Sequence, residues 1–133
     1  MHKVFVFGTL KEGFPNFKTN KGIRYRGDFE TKESFALYLV GERYSPWLIL
    51  SSGDGHKVKG QVFEVSDKAL NAMDLLERID QIDGYRKVAL DVICMNSGDA
   101  IQVVAYGKPA EMVDLNEVKS VLDGEYTLEH ATL

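Results

Sequence analysis

Two places in the sequence carry residue types that could do chemistry. The first is the run VFVFGTLKEGFPN, Val4 to Asn16, in which an apolar stretch stops at Gly8 and Thr9. Glycine lets a strand turn sharply, and the N–H groups that follow it can donate together to an anion. The G-x-x-x-x-G-K-[ST] spacing of a phosphate loop is absent, which favours a carboxylate as the bound anion. The alternative is an ordinary strand end with Thr9 capping a turn.

The second place is Glu77, near the end of a helix predicted to begin at Ser66. The positions that share its apolar face, at about 100° per residue, are Ala69, Leu70, Met73 and Leu76. Glu77 falls inside this stripe, so burial should raise the pKa of its carboxyl group unless a cation or hydrogen-bond donors compensate. A carboxyl group of that kind can serve as a general base. The alternative is a helix-end glutamate that pairs with Arg78 or Arg86, or that reaches water. Asp80 also lies on this side if the helix extends that far, and the periodicity does not choose between these interpretations.

The elements that must position these residues are mostly short strands. Alternating or continuous apolar runs predict strands at Lys3–Phe7, from Ile23 onward, and at 35–40, 47–50, 58–65, 86–95 and 100–106. Turn-rich segments at 51–56 and 96–99 predict two hairpins. Helices are predicted from Ser66 and from Asp114, the second ending at Gly124. Many strands with two helices predict an α+β fold, in which a helix packs against a curled mixed or antiparallel sheet.

Composition limits the class of protein. The 133 residues, 44% of them hydrophobic, predict a single domain over 1–133. A net charge of -4 and the absence of a long apolar run argue against a nucleic-acid partner, a membrane partner and a leader peptide. The lone Cys94 is typical of a buried small hydrophobe in a reducing compartment, and His2, His56 and His130 lack metal-ligand spacing. We therefore expect a cytoplasmic protein without a metal site, and our expectation for its oligomeric state is a monomer.

Several segments, in this order, resemble one known family. Its glycine loop is matched by Phe7-Gly8-Thr9-Leu10 with Lys11, Gly13 and Asn16, and its glutamate helix by MDLLE, Met73 to Glu77, before Tyr85-Arg86. These motifs resemble the gamma-glutamylcyclotransferase-like proteins. The intervening PWLI and VKGQVFEV, at 46–49 and 58–65, are most similar to the gamma-glutamylamine cyclotransferase branch. The chain departs from the family at Phe7, where a tyrosine is usual, so the role of that hydroxyl group is absent here.

The resemblance implies a small curled sheet or barrel with flanking helices, and an enzyme that needs no cofactor. Its substrates would be L-gamma-glutamyl amines such as gamma-glutamyl-epsilon-lysine, or gamma-glutamyl amino acids. The α-amine of the glutamyl group would attack its own side-chain amide and release 5-oxo-L-proline and a free amine. Glu77 would be the catalytic acid and base, and Phe7, Gly8, Thr9 and Leu10 would bind the substrate. A catalytically silent protein that binds gamma-glutamyl compounds in the same place is the alternative.

Overall fold

The computed structural model describes all 133 residues, Met1 to Leu133, as two β-sheets with short helices. The eight strands are β1 (His2–Val6), β2 (Ile23–Phe35), β3 (Leu37–Val40), β4 (Ser45–Leu48), β5 (His56–Val65), β6 (Arg86–Cys94), β7 (Ala100–Gly107) and β8 (Val118–Leu122). The α-helices are α1 (Asp67–Leu76) and α2 (Leu128–Ala131), and short 3₁₀ helices lie at Phe17–Thr19, Ala110–Met112 and Leu115–Glu117. None of these helices combines the length and the hydrophobicity that a membrane-spanning helix requires.

Five strands form a closed barrel in the order β1-β5-β2-β6-β7. Neighbours within it are antiparallel, and the barrel closes through a parallel contact in which Val4 of β1 faces Val104 of β7. The second sheet has the order β4-β3-β8. The predicted α+β class with a curled sheet or barrel is therefore confirmed, and so is the predicted hairpin around 96–99, which joins β6 to β7.

Strand β1 is buried on both faces because α1 covers its outer side. Phe5 points into the barrel core with Phe29 and Val62, whereas Val4 and Val6 pack in a second core with residues of α1. Successive side chains of a strand point to opposite faces, so a strand covered on both sides needs an unbroken apolar run. This requirement explains why the sequence from Val4 to Phe7 has no polar residue.

Helix α1 begins as predicted, with the Ser66 hydroxyl group accepting a hydrogen bond from the Ala69 N–H at 3.1 Å. Ala69, Leu70 and Met73 are buried against β1 and β5. Leu76 was predicted on the same buried face, but its side chain is 37% exposed because the helix ends there and the chain turns toward a cavity. The end of α1 therefore belongs partly to the protein surface.

Three details of the sequence-based prediction are wrong. The second predicted helix, from Asp114, is instead a 3₁₀ turn followed by β8, because pairing with β3 overrides the helical spacing of its apolar residues. The predicted hairpin at 51–56 is instead a crossing between the two sheets, since β4 pairs with β3 and β5 with β1 and β2. The alternation from Ile23 is interrupted after Tyr25 by a bulge, where Arg26 has a φ of 56°.

Candidate functional site

The two sequence-predicted segments meet in one cavity of about 370 Å³. Residues 5–10 line one side of it and residues 76–78 another, and Pro46, Tyr85 and Tyr106 complete the wall. Phe7, Gly8, Thr9, Leu10 and Glu77, which the sequence singled out, are all lining residues. The volume is within the usual range for a small-molecule site.

The loop after β1 is fixed by hydrogen bonds within itself. Asn16 donates from its backbone N–H to the Thr9 carbonyl oxygen at 2.9 Å and from its Nδ2 to Thr9 Oγ1 at 2.8 Å. The Lys11 N–H donates to the Gly8 carbonyl oxygen at 3.1 Å, and Asn20 Nδ2 donates to the Leu10 carbonyl oxygen at 3.0 Å. The loop therefore keeps one shape without help from a ligand.

The N–H groups of Gly8, Thr9 and Leu10 donate to no acceptor within the protein. Three consecutive free donors at the wall of a cavity can hold an anion such as a carboxylate. The Leu10 side chain is buried in the core beneath α1, so at this position only the backbone is available to a ligand. Phe7 is likewise buried, with its ring centroid 6.4 Å from that of Phe5.

The structure explains the glycine at position 8 differently from the sequence, which suggested that the chain needs glycine in order to turn there. Its φ is not in the left-handed region, so no positive φ calls for glycine there. A Cβ atom at this position would instead lie 2.9 Å from Cγ of Pro46, which is too close for ordinary packing. Gly8 is therefore required by the close approach of Pro46 at the start of β4, which also lines the cavity.

Glu77 ends α1 and is half-buried at the cavity wall. Burial raises the pKa of its carboxyl group to about 7, and the positive charge of Lys108 partly opposes this shift. The two ion pairs considered from the sequence are not formed. Arg78 pairs with Asp83 at 3.2 Å, and Arg86 donates to backbone carbonyl oxygens of the turn 81–84. A carboxyl group titrating near neutrality can both accept and release a proton.

Lys108 holds the turn that follows Glu77. It is 3% exposed, its Nζ donates to the Asp83 carbonyl oxygen at 2.5 Å, and it lies 4.3 Å from the ring centroid of Trp47 and 4.5 Å from that of Tyr85. The Tyr85 hydroxyl group in turn donates to the Pro46 carbonyl oxygen at 2.9 Å. Burial lowers the pKa of Lys108 and raises that of Tyr85. These contacts fix the turn against the second sheet.

A second carboxylate, on α1, already accepts hydrogen bonds from other side chains of the protein. Asp74 accepts hydrogen bonds from the Tyr106 hydroxyl group at 2.6 Å and from Lys87 Nζ at 2.8 Å. Burial raises the pKa of Tyr106, and the bond to Asp74 adds to that shift, so the phenol stays protonated. Sequence reasoning missed Tyr106, Arg43 and Lys108, because their places in or beside the site depend on strand pairing.

Comparison with known proteins gives the family. The profile described as "Gamma-glutamyl cyclotransferase, AIG2-like" matches residues 4–128. The chain belongs to this family. It is 36% identical over 117 residues to the gamma-glutamylaminecyclotransferase of Mus musculus, covering 80% of this chain and 77% of that protein. It is 34% identical over 110 residues to a putative gamma-glutamylcyclotransferase of Methanocaldococcus jannaschii, covering 82% and 86%.

The fold agrees with this membership. The crystal structure of an AIG2-like protein from Mus musculus matches with a TM-score of 0.82 and 32% sequence identity, over 97% of this chain and 90% of that one. The gamma-glutamylcyclotransferase-like resemblance inferred from the motifs is therefore confirmed, including its branch, since relatives named gamma-glutamylaminecyclotransferase match most of the chain. The protein is an enzyme of a cyclotransferase family.

Proposed function

We propose that the protein converts L-gamma-glutamyl amines, such as gamma-glutamyl-epsilon-lysine, or gamma-glutamyl amino acids into 5-oxo-L-proline and a free amine. The observation that carries this proposal is the set of groups that line one cavity. A carboxyl group with a pKa near 7, Glu77, shares it with the three free N–H groups of Gly8, Thr9 and Leu10. The family of the chain and the names of its relatives support the same reaction class.

The reaction makes two demands on a protein. The α-amine nitrogen attacks the side-chain amide carbon, forming the ring C–N bond, and the C–N bond to the leaving amine breaks. The attacking nitrogen loses a proton and the leaving nitrogen gains one, so one group that accepts and then donates a proton balances the reaction. Glu77 has that role in our proposal, for which a rate contribution of about 10² to 10⁴ is typical.

The second demand is on substrate shape. The attack is intramolecular, so the glutamyl group must be held bent with its α-amine near the amide carbon, which lowers the entropic part of the barrier. In our proposal the N–H groups of Gly8, Thr9 and Leu10 hold the α-carboxylate. This role is supported by the hydrogen bonds within the loop and by the attachment of the loop and of Glu77 to elements of the same core.

The test is detection of 5-oxoproline by mass spectrometry after incubation with a panel of gamma-glutamyl compounds. The panel contains gamma-glutamyl-epsilon-lysine, gamma-glutamyl-alanine and glutathione, and α-glutamyl-alanine is the isomeric control. We expect 5-oxoproline from at least one gamma-linked member and none from the control. The absence of product from every member would overturn the proposal, and binding without product would favour the catalytically silent alternative.

A further inference from the structure

The residues that line the cavity include more positively than negatively charged side chains. Three of its lining residues have charged side chains, namely Arg43, Arg78 and Glu77. The whole protein carries a net charge of -4, so two arginines at one cavity stand out against an acidic background. An excess of positive charge in a cavity raises the local concentration of anionic ligands.

The two arginines differ in what already binds them. Arg78 forms an ion pair with Asp83, at 3.2 Å and 3.3 Å to the two carboxylate oxygens. Arg43 is exposed and forms no hydrogen bond or ion pair with the protein. Its five N–H donors are therefore available to a ligand.

The turn that carries Arg43 is itself anchored. It joins β3 to β4, with the Tyr44 N–H donating to the Gly41 carbonyl oxygen at 3.1 Å and the Gly41 N–H donating to the Glu117 carbonyl oxygen at 2.9 Å. Ser45 and Pro46, which follow directly, also line the cavity. The backbone at Arg43 is thus held at the cavity by the second sheet.

The proposed reaction leaves this guanidinium group without a role. One carboxylate of the substrate, that of the glutamyl group, already has donors in the N–H groups of Gly8, Thr9 and Leu10. A second anionic group on the substrate can only belong to the leaving amine. When that amine is an amino acid, as in a gamma-glutamyl-lysine or gamma-glutamyl-alanine, it carries one carboxylate.

We propose that Arg43 binds the carboxylate of the leaving amine, so that the favoured substrates are gamma-glutamyl derivatives of amino acids rather than of simple amines. This inference rests on the proposed cyclotransferase reaction and adds a specificity-determining residue to it. A guanidinium group binds a carboxylate through two parallel hydrogen bonds, which fixes orientation as well as position. Because Arg43 is exposed, the preference is modest, about tenfold in kcat/KM.

The test compares two substrates that differ only in this carboxylate. Gamma-glutamyl-epsilon-lysine and gamma-glutamyl-cadaverine have the same chain length and the same distal amine, and only the first has a carboxylate. The measured quantity is the ratio of their kcat/KM values for 5-oxoproline release. We expect a ratio of about ten in the unmodified protein, which falls toward one as sodium chloride is raised, since salt screens exposed charges.

Three variants assign the preference to Arg43. Arg43→Gln is expected to bring the ratio close to one, mainly by raising KM for the lysine derivative, and Arg43→Lys to keep part of it. Arg26→Gln is the matched control, since Arg26 is an exposed arginine paired with Asp99 outside the cavity. Circular dichroism of each variant checks that the fold is retained.

The outcomes separate this inference from the reaction on which it rests. A ratio of one in the unmodified protein, or a ratio that survives Arg43→Gln, would overturn the role of Arg43. Equal losses on both substrates in Arg43→Gln would also overturn it, because they would mean that Arg43 holds the glutamyl carboxylate common to both. Failure to release 5-oxoproline from either substrate would instead contradict the cyclotransferase reaction itself.

Discussion

The loop over residues 8–16 and the segment over residues 77–85 face the same cavity, yet different kinds of contact hold them. Inside the loop, the partners of Thr9 and Gly8 are Asn16 and Lys11, at most seven residues away. The segment 77–85 is held by Lys108, 25 residues from its partner Asp83, and by Pro46, 39 residues from Tyr85. The backbone at Gly8 and Thr9 is therefore held by nearby residues, and long-range hydrogen bonds from Lys11 to Tyr126 and from Glu12 to Gln61 tie the residues that follow to the rest of the protein. The segment 77–85 has a local ion pair of its own, between Arg78 and Asp83, and takes its position from the packing of distant strands.

Two carboxyl groups on α1 extend the comparison. Asp74 is bound by Tyr106 and Lys87, whereas Glu77, three residues later, has no such partner and a pKa raised to about 7. Asp and Glu differ little in intrinsic pKa, so the surroundings make one group a structural acceptor and leave the other able to exchange a proton near neutral pH. The contrast between a preformed anchor and an unpartnered acid is what the following experiments probe.

The largest effect is expected when the acid is removed. Glu77→Gln keeps the shape of the side chain but cannot exchange a proton at neutral pH, so kcat for 5-oxoproline release should fall by at least about 100-fold. Asp80→Asn is the control, because Asp80 is an exposed carboxylate just beyond the end of α1 and should retain full activity. Activity within a few-fold of the unmodified protein in Glu77→Gln would remove the glutamate from the mechanism.

The next largest effect is expected from a change at Gly8, in the loop whose N–H groups are proposed to bind the substrate carboxylate. Gly8→Ala places a Cβ atom 2.9 Å from Pro46 Cγ, so the loop must shift, and kcat/KM should fall by about 10- to 100-fold because a small misplacement of the substrate is costly. Gly98→Ala is the matched control on the β6–β7 turn, where φ is +78° and no atom would lie within 4 Å of the new Cβ. It should cost about 1 kcal/mol of stability and leave kcat/KM unchanged. Equal kinetics in the two variants would argue against a role for the close approach at Gly8.

A smaller effect concerns the free energy of unfolding. The pKa of Glu77 rises from 4.5 to about 7 on folding, so the folded state binds the proton more tightly. Stability should therefore decrease as pH rises through this window and level off above it. Glu77→Gln removes this loss and should be more stable than the unmodified protein by about 1 to 3 kcal/mol at pH 8, with no such gain near pH 4. Urea unfolding of both proteins at several pH values measures the difference, and a difference independent of pH would contradict the burial argument.

The smallest effect is expected from a change at Lys108, whose positive charge lowers the pKa of Glu77. In the unmodified protein kcat/KM should rise with pH with a midpoint near 7, as Glu77 ionises into its base form. Lys108→Met removes the cation that opposes the shift, so this midpoint should move to higher pH. Lys108→Arg, which keeps the charge, should restore most of the original profile. A midpoint that stays in place or moves down in Lys108→Met would show that Lys108 acts only on the turn.

The sequence-based predictions were confirmed where residues close together in the sequence determine the structure. The cap at Ser66, the buried face of α1 and the β6–β7 hairpin follow from residues within a few positions of one another. They were wrong for β8 and for the connection from β4 to β5. Those segments depend on pairing with β3, a partner that local spacing does not identify.

For the site, local patterns in the sequence were enough to identify the two groups that carry the proposed chemistry. An apolar run ending at Gly8 and a glutamate on the apolar face of a helix are both local patterns, and the tertiary structure put them in one cavity. The folded protein was needed to show that Pro46 is the reason for glycine at position 8 and that Arg43, a lining residue of the same cavity, has no partner in the protein. It was also needed to show that Lys108 holds the turn after Glu77 and that Tyr106 binds Asp74. The physical reason is that desolvation and charge pairing depend on every group nearby, and closure of the barrel and pairing of β3 bring those groups together from distant parts of the chain.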